Sequence, residues 1–476
     1  MRRREFITSL LAAGALSAQR GGTPAAQKIN VVLFMTDDHG AWATGYNKCM
    51  ETPNLDSLKR GGVFFSNAFA ATPVCSPSRM TYITGKLPSS HGVQDFLLPE
   101  DSAGEKAMPF LDGHLTYTEL LQKAGYTLGM TGKWHMGRDE ETQRGFSYWA
   151  TVPGGGGTYK DPGFVHNGKT VDPKGYKTDL QVDFALDFLD SVKTKPFFLM
   201  VPFYAPHTPF NYYPQRDAAP YADSKFSCFP DTPMNEAQNS GLAIHHGNRK
   251  SQLAYSALIS GMDYNIGRVL GKLDAMGVRG NTVVIFTADQ GWNAGHHGVW
   301  GKGNGTVPYN MYEESIRVPM IWNQPAKLKP ATVDAMISSY DLFPTVLDYL
   351  GVAAGPPDKK RVGVSYAGFL GSKPPAEWRD RLYFEYSYVR AVRTRTLKYI
   401  ERTAQFPSEL YDLEVDPGEK KNVLKDPAYA DRVRSLQSGL HKFFQGIGAP
   451  PLADWKTTTK QHLPERFRAI KGPAED

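Results

Sequence analysis

Cysteine is scarce in this chain: three among 476 residues, Cys49, Cys75 and Cys228. That excludes a scaffold stapled by disulfides, and the odd number leaves at least one thiol to explain. Long Lys/Arg blocks are also missing, and the formal net charge is only +6. A nucleic-acid partner is therefore not expected, although a mildly basic surface suits acidic substrates. Beyond the first residues no apolar run is long enough to cross a bilayer, so no stable membrane insertion is expected. There is no internal repeat. The glycine-rich stretch at 152–175 (VPGGGGTYKDPGF and onward) lacks a Gly-Lys-Ser/Thr ending and a following helix signal. That argues against a phosphate cradle and for a flexible loop on the substrate side.

The first eighteen residues, MRRREFITSLLAAGALSA, start basic, continue apolar and end small. This is the layout of an export signal, cleaved to leave a periplasmic or extracellular bacterial protein. Arg3-Arg4-Glu5-Phe6-Ile7 resembles a twin-arginine leader, which exports folded proteins; an ordinary secretory leader is the alternative. Residues 19–28 read as a flexible junction. Four near-continuous apolar runs follow, at 29–36, 126–131, 197–203 and 282–287, each suited to a strand buried on both faces. Between them, 115–124, 180–192, 251–276 and 338–350 carry apolar residues at helical spacing. Alternating strands and helices predict an α/β fold, a mostly parallel sheet sandwiched by helices, over residues 29–373. The tail changes pattern near Pro374-Pro375. Strand-like 381–388 and 389–401, then an amphipathic helix at 427–446, predict a smaller C-terminal α+β subdomain over 374–476.

Two strand ends carry carboxylates. Thr36-Asp37-Asp38-His39-Gly40 follows the first strand, and Thr287-Ala288-Asp289-Gln290-Gly291 follows another. Taken alone, the first also reads as a solvated turn capping a helix. Adjacent carboxylates repel, however, and ligands of open α/β sheets gather at the carboxyl ends of strands. Asp37, Asp38, Asp289 and Gln290 could supply one cation with oxygen only. Such a set favours Ca²⁺ or Mg²⁺ over zinc or copper, and its flexibility favours Ca²⁺.

A third segment reads Thr72-Pro73-Val74-Cys75-Ser76-Pro77-Ser78-Arg79, followed by Thr84-Gly85. Cys-x-Pro-x-Arg followed by Thr-Gly resembles the signature of type I sulfatases in the alkaline phosphatase superfamily. Alone that pattern is short. It is joined, in the family's order, by Gly132-Lys133-Trp134-His135, Ala205-Pro206-His207-Thr208-Pro209, Gly295-His296-His297-Gly298 and Gly301-Lys302. Glu409-Leu410-Tyr411-Asp412-Leu413 with Asp416-Pro417 resembles the family's C-terminal subdomain. Together these segments cover nearly the whole chain.

The resemblance implies an alkaline phosphatase-like fold and a sulfuric ester hydrolase. It implies that a formylglycine-generating maturation enzyme oxidises Cys75 to 3-oxoalanine (formylglycine). The aldehyde's hydrate would attack sulfur, form a covalent sulfoenzyme and later expel inorganic sulfate. Ca²⁺ would bind Asp37, Asp38, Asp289, Gln290 and residue 75. Arg79 would orient the hydrate. Lys133, His207, His297 and Lys302 would contact the substrate, His207 protonating the departing alcohol and His135 taking the second hydroxyl's proton. With Cys75 consumed, Cys49 and Cys228 could pair. Gln290 departs from the asparagine of many relatives but keeps the amide oxygen. The doubled His296-His297 departs from a single histidine; His297 is matched to that position and His296 has no inherited role. The family's habit suggests a sulfated carbohydrate. Tyr159, Phe164, Tyr212 and Tyr213 could stack on sugar rings or pack internally, and specificity should come from 152–175, 210–248, the residues after His91 and the tail. The rivals are a phosphonate or phosphate ester hydrolase of the same superfamily, and a non-catalytic binding protein that kept the fold.

Overall fold

A computed structural model describes residues 27–44, 49–371 and 374–454. The expected export signal, and the 19–28 junction except for its last two residues, lie outside the described residues. Among the described residues the strands are β1 (Asn30–Thr36), β2 (Val63–Phe65), β3 (Ala68–Phe69), β4 (Thr127–Gly132), β5 (Tyr148–Thr151), β6 (Phe164–His166), β7 (Lys169–Val171), β8 (Phe197–Pro202), β9 (Thr282–Ala288), β10 (Met320–Asn323), β11 (Ala331–Val333), β12 (Ile337–Ser338), β13 (Arg381–Tyr386), β14 (Val389–Thr394), β15 (Leu397–Arg402) and β16 (Glu409–Asp412).

A ten-stranded sheet runs β11-β2-β10-β9-β1-β8-β4-β5-β6-β7. Its centre, β9-β1-β8-β4-β5, is wholly parallel, and antiparallel β10, β6 and β7 extend it outward. The apolar runs form strands because both of their faces are covered. In β1, Val31, Leu33 and Met35 pack into one hydrophobic layer and Val32 and Phe34 into the other. Full burial of each such side chain contributes roughly 1.5–3 kcal/mol. Helices Cys75–Thr84, Tyr117–Lys123 and Leu342–Tyr349 cover the first face; Pro53–Arg60, Lys177–Val192 and Arg249–Ala275 cover the second.

Helix ends follow local chemistry. Thr116 and Glu119 form a reciprocal capping box before Tyr117, and Asn248 caps Arg249–Ala275 by accepting from the amides of Lys250 and Ser251. The helix expected at 338–350 begins at Leu342, after a 3₁₀ turn over Ser339–Asp341.

In the tail, β13-β14-β15-β16 form an antiparallel meander, and helix Ala430–Gly446 lays Leu436, Leu440 and Phe444 onto it. The subdomain is tied back to the segment that leads into helix Cys75–Thr84: Glu385 N–H donates to Ala71 O (3.0 Å) and Thr72 Oγ1 donates to Glu385 O (2.9 Å). Two expectations change. The stretch 152–175 is no simple flexible loop, because β6 and β7 form a hairpin that pairs with β5 and completes one sheet edge. Phe164 and Tyr159 are core residues, wholly buried, so neither presents a ring to a sugar.

Candidate active site

Register places the site. Thr36 pairs with Ala288, so Asp37 and Asp289 leave adjacent strands side by side, and Asp289 N–H donates to Thr36 O at 2.9 Å. On the other flank Phe203 N–H donates to Met35 O, Asp37 N–H to Ala205 O and Lys133 N–H to Pro202 O. Four neighbouring strand ends thus deliver Asp289-Gln290, Asp37-Asp38, His207 and Lys133 to one place. Asp38 adopts a left-handed backbone (φ 62°), uncommon for a residue with a Cβ, and Tyr255 Oη donates to its carbonyl at 2.9 Å.

Cys75 begins a ten-residue helix in which every residue is buried. One face of that helix is docked on the end of β9: Ser78 Oγ donates to Asp289 O, Tyr82 Oη to Ala288 O (2.9 Å), and Arg79 grips the Asp289 carboxylate through Nε (2.9 Å) and Nη2 (2.7 Å). Arg79 also donates to Lys133 O at 2.6 Å. The docking aims Sγ of Cys75 at Asp37 Oδ1 (3.4 Å) and Lys302 Nζ (2.7 Å). Lys302 bridges onward to Asp38 Oδ1 at 2.6 Å, and Lys133 Nζ sits 2.5 Å from Asp37 Oδ2.

The carboxyls of Asp37, Asp38 and Asp289 and the basic side chains of Arg79, Lys133 and Lys302 are packed here, all of them buried. Burial pushes Asp37 up, but Lys133, His207, Lys302 and Arg79 outweigh it and hold the carboxyl well below its usual range. Burial wins at Asp38 and Asp289, whose carboxyls are raised despite Lys302 and Arg79. Burial and Asp37 push the Cys75 thiol up, yet Lys133, Lys302 and a hydrogen bond to His207 bring it down to about 6. Burial lowers His207, but Asp38 and Asp37 overcome it and raise the imidazole above its ordinary value. Its Nδ1–H donates to Thr208 O, and Nε2 lies 3.6 Å from Asp38 Oδ2. His135 is the opposite case. Burial and Lys133 hold it well below an imidazole's usual range. Its Nε2–H donates to Leu97 O at 3.0 Å, which leaves Nδ1, buried and without a partner, as the basic nitrogen.

Part of the expected donor set converges where it could hold a cation. Ligand atoms of Asp37, Asp38, Cys75 and His207 lie within 4.8 Å of one another. Gln290 turns its Nε2 to Asp38 Oδ1 (2.7 Å) and Asp37 Oδ1 (3.2 Å), while its buried Oε1 has no partner. Rotating that amide would present an oxygen to the same carboxylates, as an oxygen-ligated cation requires.

The structure therefore brings together Asp37, Asp38, Cys75, Arg79, Lys133, His207, Asp289, Gln290 and Lys302. His297 is the exception among the expected substrate contacts. Its Nε2 is 2.5 Å from Glu314 Oε2, Glu419 lies 3.8 Å away, and its ring stacks on Tyr312 at 4.1 Å. Of those partners, Glu419 belongs to the tail. His296 Nδ1 lies 2.7 Å from Asn293 O, and its ring lies against Trp42. Cys228 lies beside Cys49, which together with burial raises its thiol; Cys49 Sγ is 3.8 Å from Ser227 Oγ.

Sequence reasoning missed several supports. Tyr159 Oη donates to His207 O at 2.8 Å, bracing the histidine from behind. Lys177, the buried first residue of its helix, places Nζ 3.9 Å above the Tyr204 ring and donates to Gly156 O at 3.2 Å. Burial and Lys133 bring its ammonium down to about 7. Gly155 then presses on His135: a Cβ there would lie 2.2 Å from the imidazole Cδ2, and its φ is +69°. Asp139, beside the amides of His135 and Gly154, is pushed by burial up to about 8. No motif flags these residues, because each acts through a neighbour.

Comparison with known proteins bears on the whole chain. A family model described as Sulfatase matches residues 29–352, and one described as N-sulphoglucosamine sulphohydrolase, C-terminal, matches residues 295–445. The chain is 29% identical to an N-acetylglucosamine-6-O-sulfatase of Bacteroides thetaiotaomicron over 529 residues, covering 91% of this chain and 90% of that one. It is 28% identical to an ulvan-active sulfatase of Formosa agariphila, covering 88% and 82%. A solved structure in complex with its substrate D-glucosamine-2-N,6-O-disulfate superposes with a TM-score of 0.75 at 26% identity, covering 91% of this chain and all of that one.

Proposed function

The chain belongs to the type I sulfatase family of the alkaline phosphatase superfamily, and from that premise we propose that it hydrolyses the sulfate ester of a sulfated carbohydrate, releasing inorganic sulfate. One observation carries the reading. Residue 75 stands at a helix start with Lys302 at 2.7 Å and Asp37 at 3.4 Å, inside a ring of carboxylates and cations, on the sulfatase cysteine motif. The carbohydrate preference rests on the relatives, one named for N-acetylglucosamine 6-O-sulfate and one for ulvan.

Cys75, once matured to formylglycine, would supply as its hydrate an oxygen nucleophile in place of the thiol. Asp37, Asp38, Asp289 and Gln290 would hold a Ca²⁺ ion, which would supply positive charge to offset that of the ester oxygens. Three carboxylates against Arg79, Lys133 and Lys302 leave the cluster near neutrality, so a bound dication makes it attractive to an anionic ester. Lys133 and Lys302 bind the ester oxygens, and each well-placed contact of this kind is typically worth about 3 kcal/mol in the transition state. Raised His207 keeps a proton for the departing alcohol, and lowered His135 keeps Nδ1 open to accept one. Arg79 fixes the helix that carries residue 75. Maturation precedes export, and a folded-protein route suits an enzyme modified before it crosses the membrane.

The test is release of the alcohol from N-acetylglucosamine 6-sulfate, an aryl sulfate, a phosphate diester and a phosphonate ester, with inorganic sulfate also measured for the two sulfates, together with peptide mass analysis at position 75. Turnover of the sulfate esters with an aldehyde at 75 supports the reading. Preference for the phosphorus esters would move the chain to the rival hydrolase class. No turnover of any ester despite a confirmed aldehyde would make it a binding protein.

A further inference from the structure

Two of the segments expected to set specificity converge beside the reaction centre. Phe96, from the stretch after His91, and residues 236–240 and 242 line a cavity of about 630 Å³ together with Asn304, Val307 and Tyr309. The volume lies within the roughly 300–1,000 Å³ of small-molecule sites. Both walls are one or two residues from the chemistry. Leu97, next to Phe96, receives the Nε2–H of His135 on its carbonyl, and its amide donates to Ser76 Oγ at 3.1 Å. Asn304 follows Lys302 by two residues, in a turn closed by Gly305 N–H donating to Lys302 O at 2.8 Å.

The lining is rigid and uncharged except at one point. Tyr309 is stacked between Tyr386 (5.0 Å) and Tyr388 (4.8 Å). Gln238 is fixed by Trp300, whose N–H donates to Oε1 at 2.7 Å and whose carbonyl accepts from Nε2 at 3.1 Å. Partly buried Asn304 offers its side-chain amide. Among the described residues no cationic side chain lines the cavity, and its one ionic group is the exposed carboxylate of Glu236. The ring of Phe96, with the Asn304 amide and the Ser240 hydroxyl, matches the apolar face and hydroxyl edge of a pyranose, and Tyr309 and Gln238 make the fixed wall behind them. An anionic ring would meet Glu236 with no cation to offset its desolvation.

We propose that this cavity is a subsite for an uncharged sugar unit attached to the sulfated one, so that the enzyme prefers a sulfated disaccharide or longer chain with a neutral neighbour over one with a uronate or second sulfated unit there. The proposal rests on the sulfatase reading above. The experiment compares three substrates sharing one sulfated hexosamine: alone, joined to a neutral hexose, and joined to a hexuronate. Wild-type kcat/KM is expected to be about tenfold higher for the neutral disaccharide than for the monosaccharide, with no gain for the uronate. Asn304→Ala should erase the gain, read within that variant as the ratio of kcat/KM for the neutral disaccharide to kcat/KM for the monosaccharide. Glu236→Lys, at an exposed position with no folding burden, should raise the uronate substrate instead. Equal rates for all three substrates, or a gain that survives in both variants, would overturn the subsite. If no substrate is cleaved, calorimetric binding of the unsulfated neutral disaccharide decides the matter separately. Binding that Asn304→Ala abolishes keeps the subsite and removes the sulfatase reading; no binding removes both.

Discussion

The ammonium of Lys302 lies 2.7 Å from the sulfur of Cys75, and the same nitrogen bridges to Asp38 at 2.6 Å. A cation therefore couples the reactive position to the acidic strand end, and whatever oxygen or sulfur stands at residue 75 is stabilised as an anion.

That coupling is measurable in protein made without the maturation enzyme, where residue 75 stays a thiol. With the metal chelated, alkylation of Cys75 should show a midpoint near 6 rather than near the ordinary 9. Lys302→Met should move the midpoint upward, because it removes a cation and leaves burial and Asp37 in force. A midpoint unmoved by Lys302→Met would show that Lys302 does not act on residue 75.

Arg79 is expected to be structural and catalytic at once. It is 1% exposed and its donors are spread over Asp289 and the Lys133 carbonyl, with Asp37 at 3.8 Å. Arg79→Met would strand a buried carboxylate, costing about 3–5 kcal/mol. Thermal unfolding should show that loss. Arg79→Lys should recover part of the stability but little turnover, since one nitrogen cannot hold both partners. Full activity in Arg79→Lys would contradict the positioning role.

Much of this was legible in the residues themselves. Apolar runs buried on both faces announce central strands, and β1, β4, β8 and β9 begin and end within a residue of the expected bounds. The acidic ends and the cysteine motif point to one centre because strand register forces them together. What local pattern could not reveal was pairing at long range. β2, β10 and β11 are short strands whose partners lie far away in the chain. The 389–401 stretch is two strands, β14 and β15, with a turn at Arg395-Thr396 that carries no glycine or proline to mark it. Lys177 was hidden because its helix starts three residues before the apolar periodicity does. For His297 a motif position alone could not show that Glu314, Glu419 and Tyr312 surround it.

The alkaline limb of the pH profile should belong to His207. Its imidazole is raised in the fold, so its stabilising contribution is whole below the unfolded value of 6.5 and is lost as pH rises through the folded value. Proton donation to the leaving alcohol fails over the same rise. His207→Gln should lower kcat about a hundredfold or more on a poor leaving group and flatten the limb. An aryl sulfate, whose phenolate leaves unaided, should suffer far less. Equal losses on both substrates would argue against the acid role.

Lys177 should reveal itself through pH as well. Its ammonium falls from the ordinary 10.5 to about 7 on burial, so the fold binds fewer protons than the unfolded chain between those values. Keeping this lysine buried is therefore costliest at and below pH 7, and that cost shrinks as pH rises toward 10. Lys177→Met should unfold several degrees higher at pH 7, with the gap closing on alkalinisation. It should also turn over more slowly with little change in KM, because the Gly156 carbonyl loses its tether and Gly155 no longer fixes His135. Lys177→Arg should restore part of the rate. A stability gap independent of pH would show that the lysine does not titrate in the fold.

Gln290 offers the cleanest test of the cation. Its Nε2 faces Asp37 and Asp38 while Oε1 is buried without a partner, an orientation that compensates carboxylates but wastes an acceptor. Protein stripped with a strong chelator should lose activity and gain it back with Ca²⁺. Its unfolding temperature should also rise on adding Ca²⁺, since a ligand at a hundred times its Kd contributes about 2.7 kcal/mol. Gln290→Asn keeps an amide oxygen one methylene shorter and should retain most of that rise. Gln290→Leu removes the oxygen and should lose most of it, although side-chain volume is nearly kept. The thermal readout does not depend on turnover, so it separates the cation from the chemistry at residue 75. An unfolding temperature indifferent to Ca²⁺ in the stripped wild type would leave Asp37, Asp38 and Asp289 as a charge network satisfied by Arg79, Lys133 and Lys302 alone.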